Sequence, residues 1–121
     1  MAPPKKNPIP QSEKFSASLS NEPSGKFKTE FKTDTSAIYV RWRGHGLRDH
    51  AEIRALFIAE SVADVSADYQ IDESKAVAPK PDSNGTFTLS KPEDGWAPGS
   101  YRVEFYVEDE LTQTIKLKIS K

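Results

Sequence analysis

The sequence predicts an all-β fold, a single antiparallel β-sandwich of about seven strands that follows a flexible N-terminal arm. Beyond residue 25, apolar and polar side chains alternate with the period of two that is typical of strands with one buried face. The alternating segments stop at Gly, Pro, Asn or Asp, the residues that favour turns. Residues 96–103 (WAPGSYRV) have the pattern of a corner at which a sandwich enters one of its central strands.

The individual strands are predicted from the segments in which the alternation is clearest. These segments are residues 27–31, 38–42, 86–89, 101–107 and 115–119. The last two flank the polar residues 108–110 and are expected to form the closing hairpin. Asn84-Gly85 is a dipeptide suited to the positive φ angles of a tight turn, so we predict a turn there. Residues 61–84 are otherwise polar and predict a long connection with at most one weak strand, near residues 69–77.

Residues 50–60 (HAEIRALFIAE) are compatible with either a helix or a strand. Asp49 and Glu52 have the spacing of a capping box, and Ala, Glu, Arg and Leu favour a helix. The apolar run from Ala55 to Ala59 is instead typical of a strand that is buried on both faces. Because the neighbouring segments are all strands, we favour the strand, although the sequence leaves the helix open.

The chain divides into an arm, residues 1–25, and a domain, residues 26–121. The arm is rich in Pro, Ser, Lys and Asn, a composition that buries too little apolar surface to offset the entropy of ordering. Within the arm, Phe15, Ala17 and Leu19 alternate with serines, which leaves room for a short strand. We therefore expect a flexible linker or tail in front of the folded domain.

Composition limits the partners that the chain can have. With a net charge of -1 and a sequence pI near 6.1, no general attraction to nucleic acid is expected. The run from Ala55 to Ala59 is the longest apolar stretch, far short of the ~20 residues that cross a bilayer, so we expect no direct membrane insertion in this chain. The length of 121 residues suits one domain with one core.

The cellular location depends on sequence that the chain does not contain. The absence of cysteine excludes disulfides and thiolate sites, but it is compatible with an oxidising or a reducing compartment. The N-terminal residues have no apolar stretch that resembles a signal peptide. We expect an extracytoplasmic location, in the periplasm or at the cell surface, if a signal or anchor upstream of Met1 has been removed, and a cytoplasmic location otherwise.

Parts of the sequence resemble a known group of domains. The segments AIYVRW, AEIRALFIAE and GTFTLSKPEDGWAPGSYRVEFYVEDELTQTIKLKI resemble immunoglobulin-like modules of bacterial cell-envelope and secreted proteins, over residues 27–120. The resemblance implies an immunoglobulin-like β-sandwich in which the Tyr101 hydroxyl bonds to nearby backbone and Val103 points into the core. It also implies a non-catalytic accessory or protein-interaction module. The chain lacks the cysteines of the Cys-Trp-Cys core found in antibody domains.

A candidate interaction surface follows from the strand alternation. Tyrosine and arginine are enriched among the residues that dominate protein interfaces, and both occur on predicted outward faces, so we expect another protein as the partner. The two faces form one surface if their strands are neighbours in a sheet. A solvated face with cross-strand charge pairs is the alternative explanation. The surface residues are Tyr39, Arg41, Arg43, Arg102, Glu104 and Tyr106.

A small-ligand domain is the alternative function. The exposed aromatic rings of Tyr39 and Tyr106 are suited to stacking against sugar rings. An acidic group could gather around calcium, although its spacing matches no calcium loop and solvation of a long loop explains it better. This group consists of Asp64, Asp68, Asp72, Glu73 and Asp82.

Neither a metal site nor an enzyme is predicted. His45 and His50 lie near Asp49 and Glu52, but a polar, glycine-flanked loop accounts for them without a metal. The sequence has no Gly-x-Ser-x-Gly elbow, no His-Glu-x-x-His motif and no phosphate-binding glycine loop. We therefore predict no catalytic residues, no metal and no cofactor. The oligomeric state and the identity of the partner do not follow from the sequence.

Overall fold

The computed structural model describes residues 15–23 and 25–121, which form two β-sheets packed face to face. The all-β prediction is confirmed, with eight strands in the described residues where about seven were expected. These residues contain no helix long and apolar enough to cross a membrane. The strands are β1 (Phe15–Ser20), β2 (Glu30–Lys32), β3 (Ala37–Gly44), β4 (Glu52–Val62), β5 (Tyr69–Val77), β6 (Ser83–Ser90), β7 (Gly99–Val107) and β8 (Glu110–Ser120).

The two sheets differ in size and in the direction of one strand. One sheet has the order β1-β3-β6, and the other has the order β2-β8-β7-β4-β5. All neighbours are antiparallel except β2 and β8, which run parallel, so the prediction of a wholly antiparallel sandwich is wrong at this pair. Hairpins force consecutive strands to be antiparallel. Since β2 and β8 are far apart in the chain, no turn between them sets their relative direction.

The first strand lies inside the predicted arm. β1 pairs with β3, and its Phe15 and Leu19 are fully buried in the core. Phe15 stacks on Trp42, with ring centroids 6.1 Å apart. The predicted boundary between residues 25 and 26 therefore falls within the folded region. The average composition of the arm is polar, but two large apolar side chains on one face are enough to order a strand there. Residues 1–14 of the predicted arm lie outside the described residues.

The segment with two possible structures is a strand. β4 is paired on both sides, with β5 and with β7. Its inward side chains Ile53 and Phe57 belong to the core, and Ile58 on the opposite face is only 5% exposed. Burial on both faces explains the continuous apolar run, which hid the period of two from sequence inspection. The predicted weak strand in the long connection is also present, as β5.

The predicted turn at Asn84-Gly85 is wrong. Both residues lie within β6, where Gly85 is paired with Trp42 of β3. Gly85 has no positive φ angle, but a β-carbon there would lie 2.7 Å from Trp42 Nε1. This glycine is therefore needed for the close approach of an indole ring and not for a turn.

The predicted corner is confirmed. The Tyr101 hydroxyl donates a hydrogen bond to the carbonyl oxygen of Ala97, four residues upstream. Val103 is buried in the core, and the Tyr101 ring stacks on Phe57 with centroids 5.1 Å apart. The corner thus fixes the start of β7, which pairs with β4 and β8 in the larger sheet.

Tyr101→Phe is expected to lower the free energy of unfolding by about 1 kcal/mol at neutral pH, because one hydrogen bond is lost and the ring is kept. Burial raises the pKa of Tyr101 above its usual value of 10.0. The folded state therefore holds the proton more tightly, and stability that is complete below pH 10 is lost as the pH rises further.

Urea unfolding at pH 7 and at increasing alkaline pH measures both effects. The variant should lose less stability than the parent above pH 10, since it has no hydroxyl to ionise. Tyr69→Phe is the matched control, because Tyr69 is 56% exposed. A Tyr101→Phe variant as stable as the parent would contradict the structural role of the hydroxyl.

Candidate functional site

The six residues of the predicted surface lie on two separate faces. Tyr39, Arg41 and Arg43 are on β3, which pairs with β1 and β6. The other three are on β7, in the larger sheet. The strands are not neighbours, so the single mixed surface that their adjacency would have created does not form. Alternation identifies which face of a strand points outward, but it does not identify the sheet to which the strand belongs.

Arg102 of β7 is the centre of an ion-pair network on the larger sheet. Its side chain is 19% exposed and donates hydrogen bonds to three carboxylates. The hydrogen bond to Asp68 is the main cause of its raised pKa, followed by the hydrogen bond to Glu104. The distances are 2.7 Å to Asp68 Oδ1, 2.8 Å to Glu104 Oε2 and 3.3 Å to Glu60 Oε2. Arg102 is therefore permanently charged and locally neutralised.

Tyr106 and Arg54 extend this network along the same face. The Arg54 guanidinium lies 5.1 Å from the centre of the Tyr106 ring and donates a hydrogen bond to Glu73 at 3.1 Å. The Tyr106 hydroxyl donates to Glu104 Oε1 at 2.9 Å, and this hydrogen bond is the main cause of the raised pKa of Tyr106. This pairing fits the alternative explanation of these residues, a solvated face with cross-strand charge pairs. Binding of a protein by this face stays a prediction.

The residues considered for a small ligand are dispersed. Tyr39 and Tyr106 lie on different sheets, so they do not form one stacking platform. Three of the five acidic residues face bases: Asp68 faces Arg102, Glu73 faces Arg54, and Asp82 faces His45 at 3.0 Å. Across residues 15–23 and 25–121, no group of three or more His, Asp or Glu side chains is arranged to hold a metal ion.

An apolar groove, which the sequence did not predict, lies between the β4–β5 hairpin and the loop at residues 92–97. It has a volume of about 500 Å³. Its outer wall carries Val65, Tyr69 and Ile71, which are 37%, 56% and 46% exposed. β5 is the edge strand of the larger sheet, so this part of the sheet has a neighbour on one side only. Apolar residues in a segment predicted to be a solvated connection were the signal that could have indicated the groove.

The floor of the groove is a rigid aromatic cluster. Phe57 stacks on Tyr101 and meets Trp96 edge to face, with centroids 6.0 Å apart at 84°. The Trp96 indole donates a hydrogen bond to the carbonyl oxygen of Thr35 at 2.7 Å, which fixes the loop to the preceding turn. The three rings belong to the core, so the groove is formed before any ligand arrives.

The rim of the groove is acidic. The hairpin at residues 60–73 contains five acidic residues and no Lys or Arg, and residues 92–97 add Glu93 and Asp94. Glu60, Asp68 and Glu73 form ion pairs on the outer face of the sheet. Of these seven carboxylates, those of Asp64, Asp72, Glu93 and Asp94 form no ion pair within the described residues. Glu93 and Asp94 line the groove directly. The groove therefore combines an apolar floor with a negative rim.

Comparison with known proteins supports the fold. No family model matches the chain, and no curated protein matches it. The fold is similar to part of a beta-glucosidase from Listeria innocua, with a TM-score of 0.54 and 15% identity over 88% of this chain. This chain spans only 16% of that enzyme's length. It is also similar to an immunoglobulin-like protein from Pseudomonas aeruginosa, with a TM-score of 0.50 and 16% identity over 87% of this chain and 90% of that one. The β-sandwich is thus immunoglobulin-like.

Proposed function

We propose that the chain is a non-catalytic interaction module of a bacterial envelope or secreted protein, and that its groove binds an extended protein segment with apolar and basic side chains. The observation that carries this proposal is the exposure of Val65, Tyr69 and Ile71 beside a preformed aromatic floor. Contiguous apolar surface of this kind marks interaction sites in folded proteins. An apolar side chain of the partner would be buried against the floor.

The charge of the rim determines the chemistry of the partner. Glu93 and Asp94 line the groove, and Asp64 and Asp72 belong to the neighbouring hairpin. None of these four carboxylates forms an ion pair within the described residues. Lysine or arginine beside the apolar anchor complements these charges, which raises the association rate and disfavours acidic partners. The β-bulge near the junction of Phe57 and Ile58 interrupts the regular edge of β5, so side-chain contacts matter more here than the addition of a strand.

The accessory part of the proposal is supported by the kind of protein in which the fold recurs. In the beta-glucosidase from Listeria innocua, the matching region is a small part of a much longer chain. An immunoglobulin-like unit can therefore accompany other domains in one protein. The envelope or secreted location is supported by the resemblance of the AIYVRW, AEIRALFIAE and corner segments to modules of such proteins.

A synthetic peptide in which isoleucine alternates with lysine tests the groove. We expect saturable shifts of backbone amide resonances in β5 and residues 92–97 when the peptide is titrated into the isotopically labelled chain. The double variant Tyr69→Ser, Ile71→Ser should bind at least about tenfold more weakly, which corresponds to the ~1.4 kcal/mol of a lost apolar contact. A twin peptide with glutamate in place of lysine should not bind.

The chain offers closely matched controls. Phe27 and Leu111 are 57% and 50% exposed but do not line the groove. The double variant Phe27→Ser, Leu111→Ser removes similar exposed apolar surface and should leave binding unchanged. Equal loss of binding in both double variants, or equal binding of the glutamate twin, would reject the groove as the site.

A further inference from the structure

A polar trench crosses the outer face of the smaller sheet, on the other side of the sandwich from the ion-pair network. Paired residues of β1, β3 and β6 form its walls, and the floor between them is the row Ala17, Trp42 and Gly85. The volume is about 440 Å³. One wall consists of Ser16, Arg43 and Asn84, and the other consists of Ser18, Arg41 and Thr86.

The trench holds positive charge that the described residues do not neutralise. Its walls carry two guanidinium groups, three hydroxyls and one amide, and no carboxylate lines it. In the described part of the chain, Arg48, Arg54 and Arg102 form ion pairs, whereas Arg41 and Arg43 do not. The outward arginines of the larger sheet therefore form ion pairs with carboxylates, whereas Arg41 and Arg43 of the smaller sheet form none with the residues described.

Arg41 is held in a position that leaves donors available. One of its terminal nitrogens, Nη2, donates a hydrogen bond to the carbonyl oxygen of Gly25 at 2.6 Å, which fixes the guanidinium against the sheet. Its Nε is buried and has no hydrogen-bond partner. Arg43 lies two residues along the same face and is exposed, at a Cα separation of roughly 7 Å for an extended strand. Arg41 is thus fixed against the sheet and Arg43 is exposed beside it, at a spacing from which both guanidinium groups can reach a single oxyanion.

We propose that the trench binds a tetrahedral oxyanion, a phosphate or sulfate group, between Arg41 and Arg43. Four oxygens can accept hydrogen bonds from both arginines and from the wall hydroxyls at once, and the planar arginine fork is suited to paired contacts with such groups. A carboxylate has only two oxygens, so it can accept fewer of these hydrogen bonds. The trench is larger than one phosphate ion, so it also accommodates the sugar or other group that carries the ester. This site is independent of the apolar groove.

Titration at constant ionic strength, with chloride as the reference anion, tests the proposal. Inorganic phosphate, sulfate, glucose 6-phosphate and acetate are added separately while amide resonances of β1, β3 and β6 are followed. We expect saturable shifts with phosphate and sulfate, little response to acetate, and a raised unfolding midpoint with the anions that bind. Tighter binding of glucose 6-phosphate than of phosphate identifies an ester ligand, whereas equal or weaker binding identifies the free anion.

Arg43→Gln is the primary variant, because Arg43 is exposed and the substitution should not affect folding. It should weaken phosphate binding at least about tenfold, and Arg43→Lys should restore only part of it, since lysine keeps the charge without the fork. Arg48→Gln makes the same change in net charge at a residue that follows β3 and does not line the trench, so this variant should bind like the parent. Equal weakening in the Arg43 and Arg48 variants, or shifts that do not saturate, would show non-specific ion accumulation and overturn the site. The double variant Tyr69→Ser, Ile71→Ser should bind phosphate normally, which separates this proposal from the groove.

Discussion

Replacing Gly85 with alanine is expected to lower the free energy of unfolding by about 2 kcal/mol, the usual scale for forcing an extra carbon into a packed core. The direction of this change in the free energy of unfolding is informative, because alanine in the middle of a strand normally stabilises a protein by roughly 0.5–1 kcal/mol relative to glycine. At this position the new β-carbon would lie 2.7 Å from Trp42 Nε1 and 2.8 Å from Cε2 and Cζ2. The indole is 4% exposed and stacks on Phe15, so it has little room to retreat.

A double-mutant cycle with Trp42→Phe separates this clash from other effects. The smaller ring lacks the indole nitrogen that the new carbon would approach most closely, so Gly85→Ala should cost less in the Trp42→Phe background. Urea unfolding of the parent, the two single variants and the double variant gives the coupling free energy. The same cost in both backgrounds would indicate that Gly85 is needed for a reason other than its contact with Trp42.

Gly85 also illustrates what the sequence can and cannot specify. A glycine after asparagine is compatible with a tight turn or with close packing of another side chain, and only the pairing of β6 with β3 distinguishes the two. The corner was predictable because its defining hydrogen bond is local: the Tyr101 donor and the Ala97 acceptor are four residues apart. Contacts that are local in sequence leave a readable pattern, whereas contacts between distant strands do not.

The candidate sites depend on such distant contacts. The outward direction of Arg41, Arg43 and Arg102 follows from alternation, but their assignment to two sheets follows from pairings made across much of the chain. The groove needs residues 92–97 to lie beside a hairpin that begins some thirty residues earlier in the chain. Neither relation is encoded in a local motif. The sequence therefore identified outward residues correctly and could not determine which of them share a surface.

Among the described residues, arginine side chains form ion pairs on the larger sheet but not on the smaller one, and this difference has a functional consequence. Arg102 is committed to three carboxylates, so a ligand that used it would have to replace contacts that already exist. Arg41 and Arg43 form no ion pair within the described residues, so a ligand there does not have to displace a carboxylate. Binding energy is therefore more readily available on the smaller sheet, and the network on the larger sheet is best understood as a contribution to stability.

Arg102→Met tests that distinction and is expected to lower the free energy of unfolding by about 2–3 kcal/mol at pH 7, because it leaves partly buried carboxylates without their counter-ion. Methionine keeps most of the alkyl packing, so the loss reports mainly on charge. Lys116, 3.4 Å from Glu60, compensates one of the three carboxylates. Arg48→Met is the control, because Arg48 is 82% exposed and has one ion pair, whose removal should cost less than about 1 kcal/mol.

The pH dependence of this loss distinguishes electrostatics from packing. The carboxylates raise the pKa of Arg102 above the already high value of an ordinary arginine, so its stabilising effect is complete at neutral pH and would be lost only in strongly alkaline solution. Between pH 6 and 9 the difference between parent and variant should therefore be constant, to within about 0.5 kcal/mol. The ion pairs require charged carboxylates, so the difference should shrink in acid strong enough to protonate carboxylic acids in general, at about pH 3. A difference that persisted unchanged at pH 3, measured by urea unfolding, would assign the contribution of Arg102 to its alkyl chain and not to the network.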